Sequence, residues 1–141
     1  FSGVPLVDGN KARMGQLFLN ILINSAQALS DGHIDHDVIR VSTALEGGAR
    51  VRVSIHDTGP GIPSEVRERI FDPFFTTKPV GVGTGLGLSI SHGIATSMGG
   101  QICVDSNPGQ GTAFHISFPV PTEERVDELK ALSGESSFSI Q

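Results

Sequence analysis

Between Gln16 and Gly32 the chain reads QLFLNILINSAQALSDG, with apolar positions recurring at a helical rather than an alternating period. At about 100° per residue, Gln16, Asn20, Asn24, Gln27 and Asp31 fall within one wedge of roughly 80°. Leu17, Phe18, Leu19, Ile21, Leu22, Ile23, Ala26, Ala28 and Leu29 fill the rest of the circumference. The pattern predicts a helix from about Asn10 to Ser30, apolar nearly all round and therefore buried. Two inward-pointing amides without partners would cost about 1–3 kcal/mol each, so something polar must lie along the stripe.

Downstream the period changes to two. VIRVSTAL (38–45) and RVRVSIHD (50–57) alternate on either side of an EGG turn, with Val51, Val53 and Ile55 on one face. This predicts a β-hairpin with one buried side. SEVRERIF (64–71) reads as a short helix opened by Pro63 and Ser64, followed by a Gly/Pro/Thr-rich loop from Asp72 to about Thr84. LGLSISHGIATSM (86–98) is a further helix, closed by Gly99 and Gly100. QICVDS and AFHISFP are two more strands joined by the turn NPGQGT. The order helix, hairpin, helix, loop, helix, hairpin suggests a two-layer α/β sandwich over residues 1–120. From Pro121 the composition turns charged and then Ser-rich, a tail over 121–141 that is a short helix (122–132) or disordered.

Composition narrows the partners. A chain of 141 residues suits one domain, and a net charge of −5 with scattered Lys and Arg argues against nucleic acid or an anionic membrane surface. No apolar run approaches the roughly 18 residues of a membrane span, and no signal-peptide pattern opens the chain. A cytoplasmic location without direct membrane contact is expected, the parent being free to carry an anchor. Because the chain opens with Phe rather than Met, it is expected to be an excised piece of something longer. The single cysteine, Cys103, can form no internal disulfide and reads as a small buried hydrophobe.

Two glycine-rich segments carry candidate chemistry. DTGPGIP places Asp57 at a strand end, followed by Gly59 and Gly61; GVGTGLGLS has glycines at 81, 83, 85 and 87 and runs straight into a helix. Such glycines let the backbone approach a ligand closely, and their amides, with the helix N-terminus, form an anion site. Neither a Walker A loop nor the spacing of a Rossmann turn or a kinase glycine loop occurs there. Asn24 offers a hard oxygen donor suited to Mg2+, and Asp57 can accept from an exocyclic amine. Amide, loop and carboxylate together describe a Mg-nucleotide site, with the polar stripe of the first helix facing the ligand.

In this order the segments resemble the catalytic and ATP-binding domain of sensor histidine kinases, within the wider family of gyrase, Hsp90 and MutL. NILIN resembles the N box, DTGPGIP the G1 box, FDPFFTTKP the F box, GTGLGLS the G2 box and GQGTAF the last glycine box, covering about residues 4–119. The wording FDPFFTTKPVGVGTGLGLSIS is most similar to the nitrogen-regulation and dicarboxylate-sensor branch. The resemblance implies an α+β Bergerat fold: a mixed, mostly antiparallel sheet covered on one face by about three helices.

It also implies roles. Asn24 would hold Mg2+ bridging the ATP phosphates, with Asn20 beside it. Asp57 would accept from the adenine amino group, Gly59, Gly61 and Ile62 would form that wall, and Thr112 would help through water. Gly83, Thr84, Gly85, Leu86, Gly87 and Leu88 would wrap the phosphates. Lys78, in the lid, would meet the γ-phosphate and complete the catalytic pair with Asn24. Phe71, Phe74 and Phe75 would anchor the lid and pack on a neighbouring domain. Many histidine kinases carry Lys or Arg three residues after the Mg-binding Asn; this chain has Gln27, so the charge-assisted phosphate contact is lost or moved to Lys78, while Gln27, still on the polar stripe, leaves a neutral contact open.

The ATPase relatives place a water-activating glutamate one turn before the Mg-binding Asn, where this chain has Asn20. An amide takes no proton at neutral pH, so hydrolysis should be poor. Transfer to histidine, which rests on positioning and charge stabilisation, is favoured. None of His33, His36, His56, His92 and His115 fits the acceptor pattern. The acceptor is expected on a helical dimerisation domain before Phe1, with a response regulator as the next partner. The runner-up is a regulatory nucleotide-binding module without transfer activity.

Overall fold

The computed structural model describes residue 5, residues 7–29 and residues 36–133. Strands β1 (Ile39–Glu46) and β2 (Arg50–Asp57) form the first hairpin, and β3 (Gln101–Ser106) and β4 (Thr112–Pro119) the second. The hairpins join through β2 and β4, giving a four-stranded sheet in the order β1-β2-β4-β3. Every pairing among the described residues is antiparallel, and the expected α+β architecture of a sheet with helices is borne out. Both hairpins fold back locally, so no crossover is needed to bring a strand in parallel.

Alternation then decides the core. Ile55, Phe114 and Val104 lie side by side across the sheet, as do Val51 and Phe118. Phe114 and Ile116 are fully buried, and Ile55 and Phe118 nearly so. Cross-strand apolar pairs of this kind hold the hairpins in register. Truncating Phe114 to Ala would cost about 3–5 kcal/mol.

Helix α1 (Lys11–Ala28) and helix α3 (Gly87–Ser97) cover this inner face and pack on one another. Asn10 caps α1, its side chain accepting from the amide of Arg13 at 3.0 Å, and Leu17, Ile21 and Ser25 are the residues that α1 buries. Helix α3 buries Ser91, Ile94 and Ala95 and ends where the Gly100 amide donates back to the Ala95 carbonyl at 2.8 Å. The short α2 (Ser64–Arg67) lies between β2 and α3 in the chain, and turns, not helix, continue from Glu68 to Phe74, short of the expected 64–71 helix. Pro73 restricts the residue before it and cannot donate to a helical ladder. Helix α4 (Glu123–Ser133) follows β4, and Arg125 ties it to Asp8 at the entrance of α1 at 3.2 Å.

Two burial expectations fail. Leu19 and Ile23 are 57% and 46% exposed, so α1 is buried on one side rather than all round. Cys103 is exposed, not buried: strand alternation sends Ile102 and Val104 inward and Cys103 to the opposite face, across from His115. Among the described residues no second layer of helices covers that face. It carries Arg52, Ser54, His56 and His115, with Ser54 Oγ and His115 Nδ1 2.8 Å apart.

Candidate nucleotide site

A cavity of about 660 Å3 opens between α1, the strand ends of β2 and β4, α2 and the loop that leads into α3. Of the residues expected at the site, Asn20, Asn24, Gln27, Asp57, Gly61, Ile62, Lys78, Gly83, Thr84, Gly85, Gly87, Leu88 and Thr112 line it. Gly59 and Leu86 do not. Gly59 serves from behind, its amide donating to Asp57 Oδ1 at 3.0 Å, while the Leu86 amide donates to Thr84 Oγ1 at 3.3 Å.

One end is built by sheet register. Asp57 and Thr112 are direct partners at the ends of β2 and β4, and both are buried, at 1% and 4% exposure. The Asp57 carboxylate uses one oxygen on Gly59 and retains acceptor capacity, since an ionised carboxyl offers about four lone-pair sites. Thr112 Oγ1 lies 3.0 Å from Ser106 Oγ, which donates to the Gly111 carbonyl and accepts from the Ile62 amide, both at 2.8 Å. Arg67 closes the network by donating to the Ser106 carbonyl at 2.7 Å. Gly61, at φ +77°, crosses the 107–108 turn so closely that a Cβ there would sit 2.0 Å from the Asn107 carbonyl oxygen. Only glycine fits. Ile62, Pro63, Val66, Ile70 and Phe75 supply an apolar wall suited to a flat ring.

The other end is built on backbone. Gly87 and Leu88 open α3 without a side-chain cap at Leu86, so first-turn amides remain available for an anion. Asn20 donates from Nδ2 to the Gly87 carbonyl at 3.2 Å and reaches Ser91 Oγ at 3.4 Å, fixing the start of α3 to α1. That bond satisfies one amide of the polar stripe. Asn24 lines the cavity one turn further on, and among the described residues its side chain makes no hydrogen bond. Its amide is the natural donor for a ligand-borne cation: Mg2+ takes few protein oxygens when phosphates and water supply the rest. Along α1, Asn20 marks the α3 end, and Ala28, 3.1 Å from a Cβ placed on Gly59, marks the Asp57 end. Eight residues of helix span about 12 Å, the reach from a nucleoside base to its phosphates.

The lid joins the two ends. The Phe74 amide donates to the Gly85 carbonyl at 2.9 Å, and Gly85, at φ +68°, passes within 2.5 Å of Phe74 at the position a Cβ would take. Phe74 itself has φ +65° and is 75% exposed. The left-handed region is strained for a bulky residue, and with its ring outward Phe74 is not held there by packing of its own side chain. Phe71 packs 5.5 Å from the His92 ring of α3, and Arg69 sits 4.6 Å over the Phe75 ring. Lys78 bonds from Nζ to Gln27 Oε1 and is the one cationic side chain lining the cavity among the described residues.

Sequence reasoning missed Ser106, Arg67 and the apolar wall of Val66 and Ile70. The inward phase of QICVDS points to Ser106; nothing local points to Arg67. Of the histidines, His36, His56, His92 and His115 lie outside the cavity lining, and His33 lies outside the described residues. No three His, Cys, Asp or Glu side chains cluster as a metal centre among the described residues.

A buried carboxylate and an apolar wall facing an uncapped helix start give this α+β domain a cavity chemically suited to a nucleotide. Comparison with known proteins gives the family. Residues 9–122 match the family described as histidine kinase-, DNA gyrase B-, and HSP90-like ATPase. The chain belongs to that family, on its histidine-kinase side. It is 41% identical over 117 residues, 83% of its length, to the sensor histidine kinase ZraS of Escherichia coli strain K12, and covers 24% of that protein. It is 40% identical over 113 residues, 80% of its length, to sporulation kinase A of Bacillus subtilis strain 168, covering 18% of it.

Among solved structures, the full-length histidine kinase ShkA in complex with AMPPNP superposes with a TM-score of 0.73 at 32% identity, over 86% of this chain and 24% of that one. The catalytic domain of the histidine kinase ThkA superposes with a TM-score of 0.68 at 35% identity, over 81% of this chain and 71% of that one. The chain therefore spans about a quarter or less of the curated relatives named here. Similar identities to differently named sensor kinases, 41% to CckA of Brucella abortus among them, single out no branch. No described helix is long and apolar enough to cross a membrane.

Proposed function

We propose that this domain binds Mg-ATP and, within its parent sensor kinase, places the γ-phosphoryl group for transfer to a histidine on a separate dimerisation domain, from which a response regulator takes it. The observation carrying the proposal is one cavity that joins buried Asp57 and Thr112 to the uncapped start of α3, with Lys78 over its mouth. Asp57 accepts from the adenine amino group, Thr112 supports it through water, and Ile62, Val66, Ile70 and Phe75 flank the ring. The α3 amides and Lys78 receive the phosphates. Asn24 supplies the protein's oxygen donor to Mg2+, which when bound neutralises phosphate charge.

Asn20 supports transfer over hydrolysis. Its amide is committed to the α3 backbone and carries no proton-accepting group for an attacking water, whereas an incoming imidazole brings its own lone pair. The outward ring of Phe74 suits the face that meets the dimerisation domain. In the lid wording FDPFFTTKP we read the nitrogen-regulation and dicarboxylate-sensor branch, and the domain would be cytoplasmic in a parent that carries any anchor elsewhere.

The test is labelling of the parent kinase with γ-labelled ATP. An acid-labile, alkali-stable phosphoprotein, lost in Asn24→Ala, is expected; free phosphate released at ATPase rates with no labelled protein would overturn transfer.

A further inference from the structure

The lid carries one cation, and its partner is not where a simple phosphate grip would put it. Lys78 Nζ donates to Gln27 Oε1, 51 residues earlier on α1. The other hydrogen bonds described within residues 76–84 are local: the Lys78 amide to Thr76 Oγ1 at 3.1 Å, the Val82 amide to the Pro79 carbonyl at 3.0 Å, and Thr84 Oγ1 from the Leu86 amide at 3.3 Å. Val80 is fully exposed and Val82 is 61% exposed, so apolar packing holds this segment weakly. Among the described residues, the contact with Gln27 is the hydrogen bond that ties the tip of the lid to the body of the domain.

We propose that Gln27 is a positioning residue for the lid: its amide oxygen holds Lys78 across the mouth of the cavity, and incoming phosphates take the lysine over. The proposal deepens the Mg-ATP reading and rests on it. A neutral amide suits this task in both directions. An ammonium-to-amide bond is strong enough to orient a lysine, and an anionic phosphate outcompetes an amide for the same proton donor. A carboxylate at residue 27 would hold too hard, and a cation would repel the lysine outright. Gln27 thus closes the cavity loosely, keeping the lid near its working position while leaving the charge transferable.

The experiment compares amide hydrogen exchange over residues 76–84 in the whole chain, with and without a non-hydrolysable ATP analogue and Mg2+, for wild type, Gln27→Ala and Gln27→Glu. Without nucleotide, Gln27→Ala should speed exchange by about fivefold, the size expected for loss of one such contact in a segment that opens locally. Gln27→Glu, which keeps an acceptor, should restore slow exchange while weakening analogue binding by about tenfold, since the ion pair competes with phosphate. With the analogue bound, wild type and Gln27→Ala should protect the lid equally. Thermal melting should coincide for all three, because residue 27 is exposed on α1. Equal lid exchange in Gln27→Ala and wild type, with normal analogue binding, would overturn the latch alone. Absence of analogue binding to wild type would overturn the nucleotide reading and the handover with it.

Discussion

The two ends of the cavity are made by opposite means. Around Asp57 every support is buried or crossed by backbone: Thr112 beside it in register, Ser106 bonding to Thr112 and Ile62, and Gly61 threading past Asn107 with no room for a methyl group. At the lid, Val80 stands in solvent, and the tip meets the body through Lys78 and Gln27. The contrast teaches where specificity and motion reside. A ring-recognising end needs fixed groups at fixed distances. On the proposed function, an end that admits a triphosphate and then presents it needs groups held by little, and segments with few buried contacts open cheaply.

The largest expected effect separates the ends at the level of folding. Gly61→Ala forces a Cβ onto the Asn107 carbonyl at a positive φ, and should cost about 4 kcal/mol in urea denaturation. Loss of recognition comes next. Asp57→Asn keeps an oxygen for the Gly59 amide but offers the adenine amine a weaker, flippable amide, so analogue affinity should fall by about a hundredfold or more with melting nearly unchanged. Wild-type affinity in that variant would remove Asp57 from the base end.

Lys78→Ala should weaken analogue binding by about tenfold, and raising salt should narrow its gap from wild type, as for any exposed charge contact. The smallest effect belongs to the lid backbone. Gly81 also has a positive φ, +87°, yet nothing lies within 4 Å of its would-be Cβ. Gly81→Ala should therefore cost only about 1 kcal/mol, the conformational penalty alone. Equal losses for Gly61→Ala and Gly81→Ala would erase the distinction between a locked end and a loose one.

Much of this was legible in the sequence because its signals are local. The 3.6-residue period gave α1 and α3, the two-residue period gave β1 and β2, and Asp57, the first residue of DTGPGIP, was placed at a strand end, where β2 does end. What failed was non-local. Nothing in the strand patterns says that β2 and β4 are neighbours with β1 and β3 at the edges. Cys103 was misplaced because a strand's phase, not its composition, decides which side chain faces out. Leu19 and Ile23 look like core residues in any window, yet a two-layer fold covers α1 on one side only. Gln27 reads as a neutral stand-in for a charged phosphate contact until the fold brings Lys78, 51 residues away, against it.

The most direct test of the central claim is a calorimetric titration of the domain with a non-hydrolysable ATP analogue, with and without Mg2+, for wild type and Asn24→Ala. Binding that Mg2+ strengthens in wild type, and no longer strengthens in Asn24→Ala, is the predicted result. No binding at high protein concentration, or an undiminished Mg2+ effect in Asn24→Ala, would contradict it.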